Sequence, residues 1–289
     1  MPAGRRPHLN LNRAATCESV HERDNLFVAS STSAAAFSAW MPILLYHRVL
    51  PVALSSDPFR ISVSTDTFAA HLSWLKRRGY RSLSFRELDD TLTGARGPEL
   101  ASAPSVAITF DDGYRDVYQH AWPILKRYGF TATVFLVSDA IGGDNGFDAP
   151  YGKVRSAMLS ATEIRELHKG GVTFGSHTAS HPGPLLDVDD SRLRDELARS
   201  RSEIEAVVDA PVEYFAYPHN KVNDRVEGAV RAAGYRLACT GNGSSFSPYR
   251  LTRIEPHLRV GPSVEVAMAW RHLKWVARRR FRTPATAVA

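Results

Sequence analysis

The 289-residue chain is 44% hydrophobic and 23% charged, long enough for one enzyme-sized core and without internal repeats or low-complexity tracts. Its formal net charge of +6 is matched by Arg271, Lys274, Arg278, Arg279, Arg280 and Arg282, with no acid from Val266 onward, so the rest is near neutral. That excludes the basic, aromatic-interleaved face of a nucleic-acid-binding domain, and two cysteines, Cys17 and Cys239, exclude a disulfide framework.

Residues 1–40 mix Arg, Asn, Ser and Ala without periodicity and read as a disordered extension. Arg5 and Arg6 make a basic start, but no clean apolar stretch follows promptly, and no run approaches the roughly 20 apolar residues of a membrane span. These features leave export undecided, with a cytoplasmic chain or one peripheral to a membrane as the alternatives, and both cysteines are expected to be free.

Order begins near Met41. The run Pro42-Ile-Leu-Leu-Tyr-His-Arg-Val49 reads as an apolar strand ending on the titratable His47. Phe68, Leu72 and Leu75 predict a helix over 65–80, capped by Thr65 or Asp66 and ended by Gly79, and 81–85 then reads as a short strand. Ser105-Val-Ala-Ile-Thr-Phe-Asp-Asp-Gly-Tyr114 is a β-branched, apolar strand that terminates in two carboxylates, with Gly113 permitting a sharp turn.

Tyr114, Val117, Ala121, Ile124, Leu125 and Tyr128 mark the next helix, disturbed by Pro123 and stopped near Gly129. A strand over 131–137 follows, and Ser160-Ala-Thr-Glu163 is a capping box opening another helix. The strand-like 171–174 delivers Gly175-Ser-His-Thr-Ala-Ser-His181. Beyond it lies a helix with Leu193, Leu197, Ile204 and Val208 on one side and Arg192, Glu196, Arg199 and Glu203 on the other. Strands near 212–217 and 235–240 flank a helix near 223–233.

This β-then-α order implies parallel strands. A barrel is favoured because chemistry-bearing residues recur at strand ends; an open doubly wound sheet would satisfy the same alternation but lacks a Gly-rich phosphate loop after its first strand. Residues 41–262 are expected to form the barrel. Residues 263–289 are expected to be a basic helix and tail, either packing Met268, Trp270, Leu273, Trp275 and Phe281 on the barrel or resting on an anionic membrane surface.

His177 and His181 are four residues apart, so one helical turn would place both imidazoles on one face. With one Asp they make three ligands and leave a fourth position open, the pattern of catalytic rather than structural zinc sites. Zn2+ suits the set best among divalent ions, although cobalt, nickel or iron would accept it.

Thr109-Phe-Asp-Asp-Gly-Tyr114 and the His-x-x-x-His of 177–181 resemble the first two motifs of polysaccharide deacetylases, carbohydrate esterase family 4, over about residues 41 to 260. The resemblance implies a distorted (β/α) barrel of about seven parallel strands. It also implies a divalent metal and removal of N-acetyl or O-acetyl groups from a glycan or polysaccharide. By motif position, Asp111 is the general base and Asp112, His177 and His181 the metal ligands. The early Tyr-His pair is similar to one branch of the family and makes His47 the general-acid candidate, with His257 a weaker one.

Phe215-Ala-Tyr-Pro-His-Asn220 departs from the family's Phe-Arg-x-Pro-Tyr-Gly. Ala216 stands where an arginine usually orients the base, so another group, His47 among the choices, must hold Asp111. Tyr217 and His219 are candidate substrate contacts, and the backbone amide of His219 is a candidate oxyanion donor because Pro218 has none. A same-fold hydrolase of small amides and an inactive carbohydrate-binding barrel are the alternatives.

Overall fold

The computed structural model describes residues 41–256 apart from 53–56, 58, 59, 94, 96–103, 153 and 242–246. His257, Cys17, the N-terminal extension and the basic C-terminal stretch lie outside the described residues. Among the described residues, no helix is long and apolar enough to cross a membrane.

Among the described residues, the strands and α-helices run in chain order β1 (Ile43–Tyr46), β2 (Arg48–Leu50), β3 (Ser62–Ser64), α1 (Thr65–Arg77), β4 (Arg81–Leu83), α2 (Phe85–Leu92), β5 (Ser105–Phe110), α3 (Trp122–Tyr128), β6 (Thr133–Leu136), α4 (Ala161–Lys169), β7 (Thr173–Ser176), α5 (Asp190–Val208), β8 (Tyr214–Ala216), α6 (Asp224–Ala232), β9 (Leu237–Thr240) and β10 (Leu251–Thr252). Seven strands run parallel in the order β1-β5-β6-β7-β8-β9-β10, while β4 pairs alongside β5 and β2 pairs β3 apart from them.

The ring closes through Ile254. Its N–H donates to the Ile43 carbonyl (2.7 Å) and its carbonyl accepts from the Leu45 N–H (2.8 Å). This closure makes the fold the distorted barrel rather than an open sheet. A single register pair, Ser176 with Phe215, joins β7 to β8, so the barrel is nearly rather than fully closed.

Both faces of β1, β5, β6, β8 and β9 are buried, so the alternation there is between two apolar environments rather than between core and water. Leu44, Tyr46, Val106, Ile108, Phe110, Val134, Leu136, Phe174 and Phe215 face outward into one cluster with Leu72, Leu125, Ile164, Leu197 and Val230 of the helices. Ile43, Ala107, Phe135, Tyr214, Leu237 and Cys239 form the inner cluster.

The strand expected over 81–85 is present as Arg81–Leu83 but ends two residues early, because Phe85, Leu88 and Leu92 belong to that inner cluster. Ser84 instead caps α2 with a capping box to Glu87, and the apolar face of the helix plugs the barrel at the strands' N-terminal ends. Pro123 explains a second departure. Residues Val117–Ala121 form a π-helical turn before α3, because a proline in the first turn of α3 lacks the N–H that would continue an α ladder.

Gly175 is required by the filling of the barrel. A Cβ there would stand 2.6 Å from two ring atoms of Phe135 and 2.7 Å from the Tyr214 carbonyl oxygen. Gly175→Ala is therefore expected to destabilise the protein by about 1–3 kcal/mol through overpacking. A lower urea midpoint at unchanged m-value would show this; an unchanged midpoint would mean that Phe135 yields at no cost.

Candidate active site

Every chemistry-bearing residue sits just past the C-terminal end of a barrel strand, as expected for this architecture. Asp111 and Asp112 follow β5, His177 and His181 follow β7, His219 follows β8, and His47 follows β1. The parallel register pairs Tyr46 with Phe110, so His47 and Asp111 are the next residues on neighbouring strands. The Asp111 N–H donates to the Tyr46 carbonyl (3.0 Å) and holds that register past the strand end.

Asp112, His177 and His181 are brought together. One ligand atom from each lies within 4.8 Å of the others, and all three side chains are buried. The Asp112 Oδ1 is 3.4 Å from His177 Nε2 and 4.0 Å from His181 Nε2. Two ligand atoms about 2.1 Å from one ion at a tetrahedral angle stand about 3.4 Å apart, so the spacing fits a shared small cation. Burial holds the His177 imidazole below its ordinary pKa, which favours the neutral, ligating form. His177 Nδ1 lies 2.8 Å from the carbonyl oxygen of Ala216; with the proton on Nδ1, Nε2 keeps its lone pair for a metal.

The two histidines do not share a helical turn. They lie on a loop after β7, with positive φ at Thr178 (73°) and His181 (52°). The Thr178 Oγ1 accepts from the His181 N–H at 3.1 Å. Glu196, expected on the solvent side of its helix, is instead 2% exposed, and one of its oxygens accepts from the N–H groups of Ala179 (3.0 Å) and Ser180 (2.8 Å). It sits on the buried side because this loop has unpaired backbone donors that need an acceptor.

The group that grips both oxygens of Asp111 is Arg253. Its Nη1 and Nη2 donate to the two oxygens of Asp111 at 2.6 and 2.7 Å. Further bonds run from Nε to the Thr240 carbonyl (3.3 Å), from Nη1 to Thr109 Oγ1 (3.5 Å) and from Nη2 to Asn220 Oδ1 (3.2 Å). These account for all five guanidinium hydrogens. Arg253 is fully buried and Asp111 2% exposed. Burial alone would raise the Asp111 carboxyl, but Arg253, with His177 and His47 nearby, holds it below the usual carboxylate range.

No local pattern singles out Arg253, because Arg250-Leu-Thr-Arg-Ile254 already carries a second arginine and a threonine. Ala216 pairs with Cys239 and Cys239 with Leu251, so Arg253 lies two strands away from the position that lacks an arginine.

The two candidate substrate contacts separate. Tyr217 is fully buried in the outer core and donates its hydroxyl to the Tyr249 carbonyl (3.0 Å), so its side chain has no face for a substrate. His219 is exposed, and its φ of 55° turns its ring over the site, with centroids 5.0 Å from His181 and 5.5 Å from Tyr151. Cys239 is buried and free.

Comparison with known proteins agrees with this geometry. Residues 100–238 match the family model described as polysaccharide deacetylase. The Bacillus subtilis protein named putative polysaccharide deacetylase YxkH is 30% identical over 230 residues, 78% of this chain and 73% of YxkH. The poly-beta-1,6-N-acetyl-D-glucosamine N-deacetylase of Staphylococcus aureus is 26% identical over 223 residues, 71% of this chain and 73% of that protein. Among solved structures, the Streptococcus pyogenes deacetylase PplD in complex with acetate superposes with a TM-score of 0.61 at 26% identity, covering 74% of this chain and 91% of that one. The barrel, the strand-end carboxylates and histidines, and these relatives agree: the chain belongs to the polysaccharide deacetylase family.

Proposed function

We propose that the protein is a metal-dependent hydrolase that removes N-acetyl groups from a polysaccharide of N-acetylated amino sugars. The observation that carries this reading is the pairing of two differently held carboxylates. Asp112 faces the imidazoles of His177 and His181, while Asp111, its neighbour, is locked by Arg253. Such a division suits one carboxylate to a metal and the other to a proton. The S. aureus relative supports the substrate class, since its name specifies an N-acetylglucosamine polymer.

Asp112, His177 and His181 would hold the ion, Zn2+ because two imidazoles and one carboxylate with an open fourth position suit it. When bound, the ion supplies Lewis acidity toward the acetyl carbonyl and makes a water easier to deprotonate. Asp111, kept ionised by Arg253, accepts the proton of the attacking water. His47, just past the end of β1, protonates the departing amine, so the carbon–nitrogen bond breaks to give free amine and acetate. The His219 ring, over the mouth, contacts the sugar, and its backbone amide faces the developing oxyanion.

Acetate release from N-acetylglucosamine oligomers by metal-loaded protein tests the reading directly. Release from acetylated xylan alone would replace it with an O-acetyl esterase, and no bound or activating divalent ion would leave a binding barrel. Asp111→Asn is expected to lower kcat by about 100-fold or more while metal content is retained. Asp112→Asn should lose the metal itself, and equal metal loss in both variants would contradict the division of labour.

Arg253→Met leaves Asp111 as an uncompensated buried charge, so kcat should fall by about tenfold or more with metal content unchanged, and thermal stability should fall too. Arg253→Lys keeps the charge but loses the two-point bond and should lie between the two. Wild-type turnover in Arg253→Met would remove Arg253 from the mechanism.

A further inference from the structure

The segments carrying the proton donor and the proton acceptor part company at the barrel rim. Up to Tyr46 and Phe110 they are held by the β1–β5 ladder. Past it, the chain after His47 leaves for β2 and pairs with β3, while Asp112 and Gly113 turn the other way through positive φ values of 71° and 88°. The β2–β3 pairing holds the chain after His47 to β3, so fixing it against the Asp111 segment takes a separate tie beyond the one backbone bond at Asp111.

That tie is a single carboxylate. Asp116 Oδ2 accepts from Arg48 Nε (2.8 Å) and Oδ1 accepts from the Val49 N–H (3.0 Å), so both oxygens engage the two residues that follow His47. The Arg48 guanidinium lies over the ring of Tyr114, 4.6 Å from its centroid, and the Tyr114 hydroxyl donates to Asp148 (2.5 Å). Residues 114 and 116, just beyond Asp111 and Asp112, thus clasp the neighbour of His47 from two sides.

The clasp is buried, with Arg48 8% and Asp116 5% exposed. A buried ion pair is a poor device for stability alone, since well-packed apolar side chains of the same volume generally do as well or better. Its use is directional: charge-assisted bonds fix where a chain segment sits, to a few tenths of an ångström, in a way apolar packing does not. Here the segment so fixed carries a reacting group.

We propose that Asp116 is a positioning residue for proton donation, which through Arg48 and Val49 sets His47 at the leaving-group side of the site opposite Asp111. This rests on the reading of His47 as proton donor and Asp111 as proton acceptor. Asp116 itself touches neither the substrate nor the metal ligands. A loss of position at His47 weakens protonation of a departing amine and leaves the attack step intact.

The test is a leaving-group comparison on metal-loaded protein. Asp116→Asn keeps shape and one acceptor but loses the charge. Its kcat on an N-acetylglucosamine oligomer should fall about 10- to 100-fold. Its kcat on 4-nitrophenyl acetate, whose phenolate leaves without a proton, should stay near wild type, with metal content unchanged. Arg48→Lys, which retains the charge opposite Asp116, is the second variant and should show the same split at smaller size if Asp116→Asn folds poorly. His47→Ala should show the split at its largest.

Equal losses on both substrates in the two strut variants would mark Asp116 as merely structural, and wild-type rates on both would remove it altogether; either overturns the proposal. A His47→Ala variant without the split would instead overturn His47 as proton donor, and with it the target assigned to the strut. The split in His47→Ala therefore separates failure of the strut from failure of the underlying mechanism.

Discussion

The site depends on one buried pair, Arg253 with Asp111. A carboxylate taken out of water inside a barrel would ordinarily hold its proton and be useless as a base. The guanidinium reverses that by direct charge and by two short bonds, and is itself tolerated there because each of its five hydrogens has an acceptor. The pair also joins the last described strand to the fifth, so closing the barrel and arming the base are one event. Asn220 links the same guanidinium to the loop that presents His219, and the Thr240 hydroxyl fixes the Asn220 carbonyl at 2.8 Å.

Around this pair the backbone is held in conformations that side chains disfavour. Asp112, Thr178, His181, His219 and Asn220 all have positive φ, at about 1–3 kcal/mol each in strain. Such positions persist only where surrounding bonds over-determine them. Glu196 supplies those bonds for the His loop and Arg253, through Asn220, for the His219 loop. The arrangement is a rigid rim on a filled barrel, which suits a reaction whose groups must be aligned before the substrate arrives.

Much of this was legible in the residues themselves. The strand-end carboxylates, the His pair, His47 and the β-then-α order are local patterns, and the structure places all of them at one end of one barrel. What was hidden was long-range or conditional. Arg253 meets Asp111 across 142 residues, and no periodicity announces such a partner. Glu196 looked like a solvated helix charge because its acceptor role exists only once the His loop brings bare N–H groups to it. Phe85 read as the end of a strand because β-propensity outweighed a capping box at Ser84, until the empty barrel end supplied a place to bury it. Tyr217 failed as a substrate contact for the opposite reason: its parity along β8 turns it outward, into the helices.

The most direct measurement is a crystal structure of the metal-loaded protein. One ion is predicted on Asp112, His177 and His181, with Asp111 still in its two-point bond to Arg253. An Asp111 that rotates onto the ion, or an Arg253 released from it, would contradict the division between metal-holding and proton-accepting carboxylates.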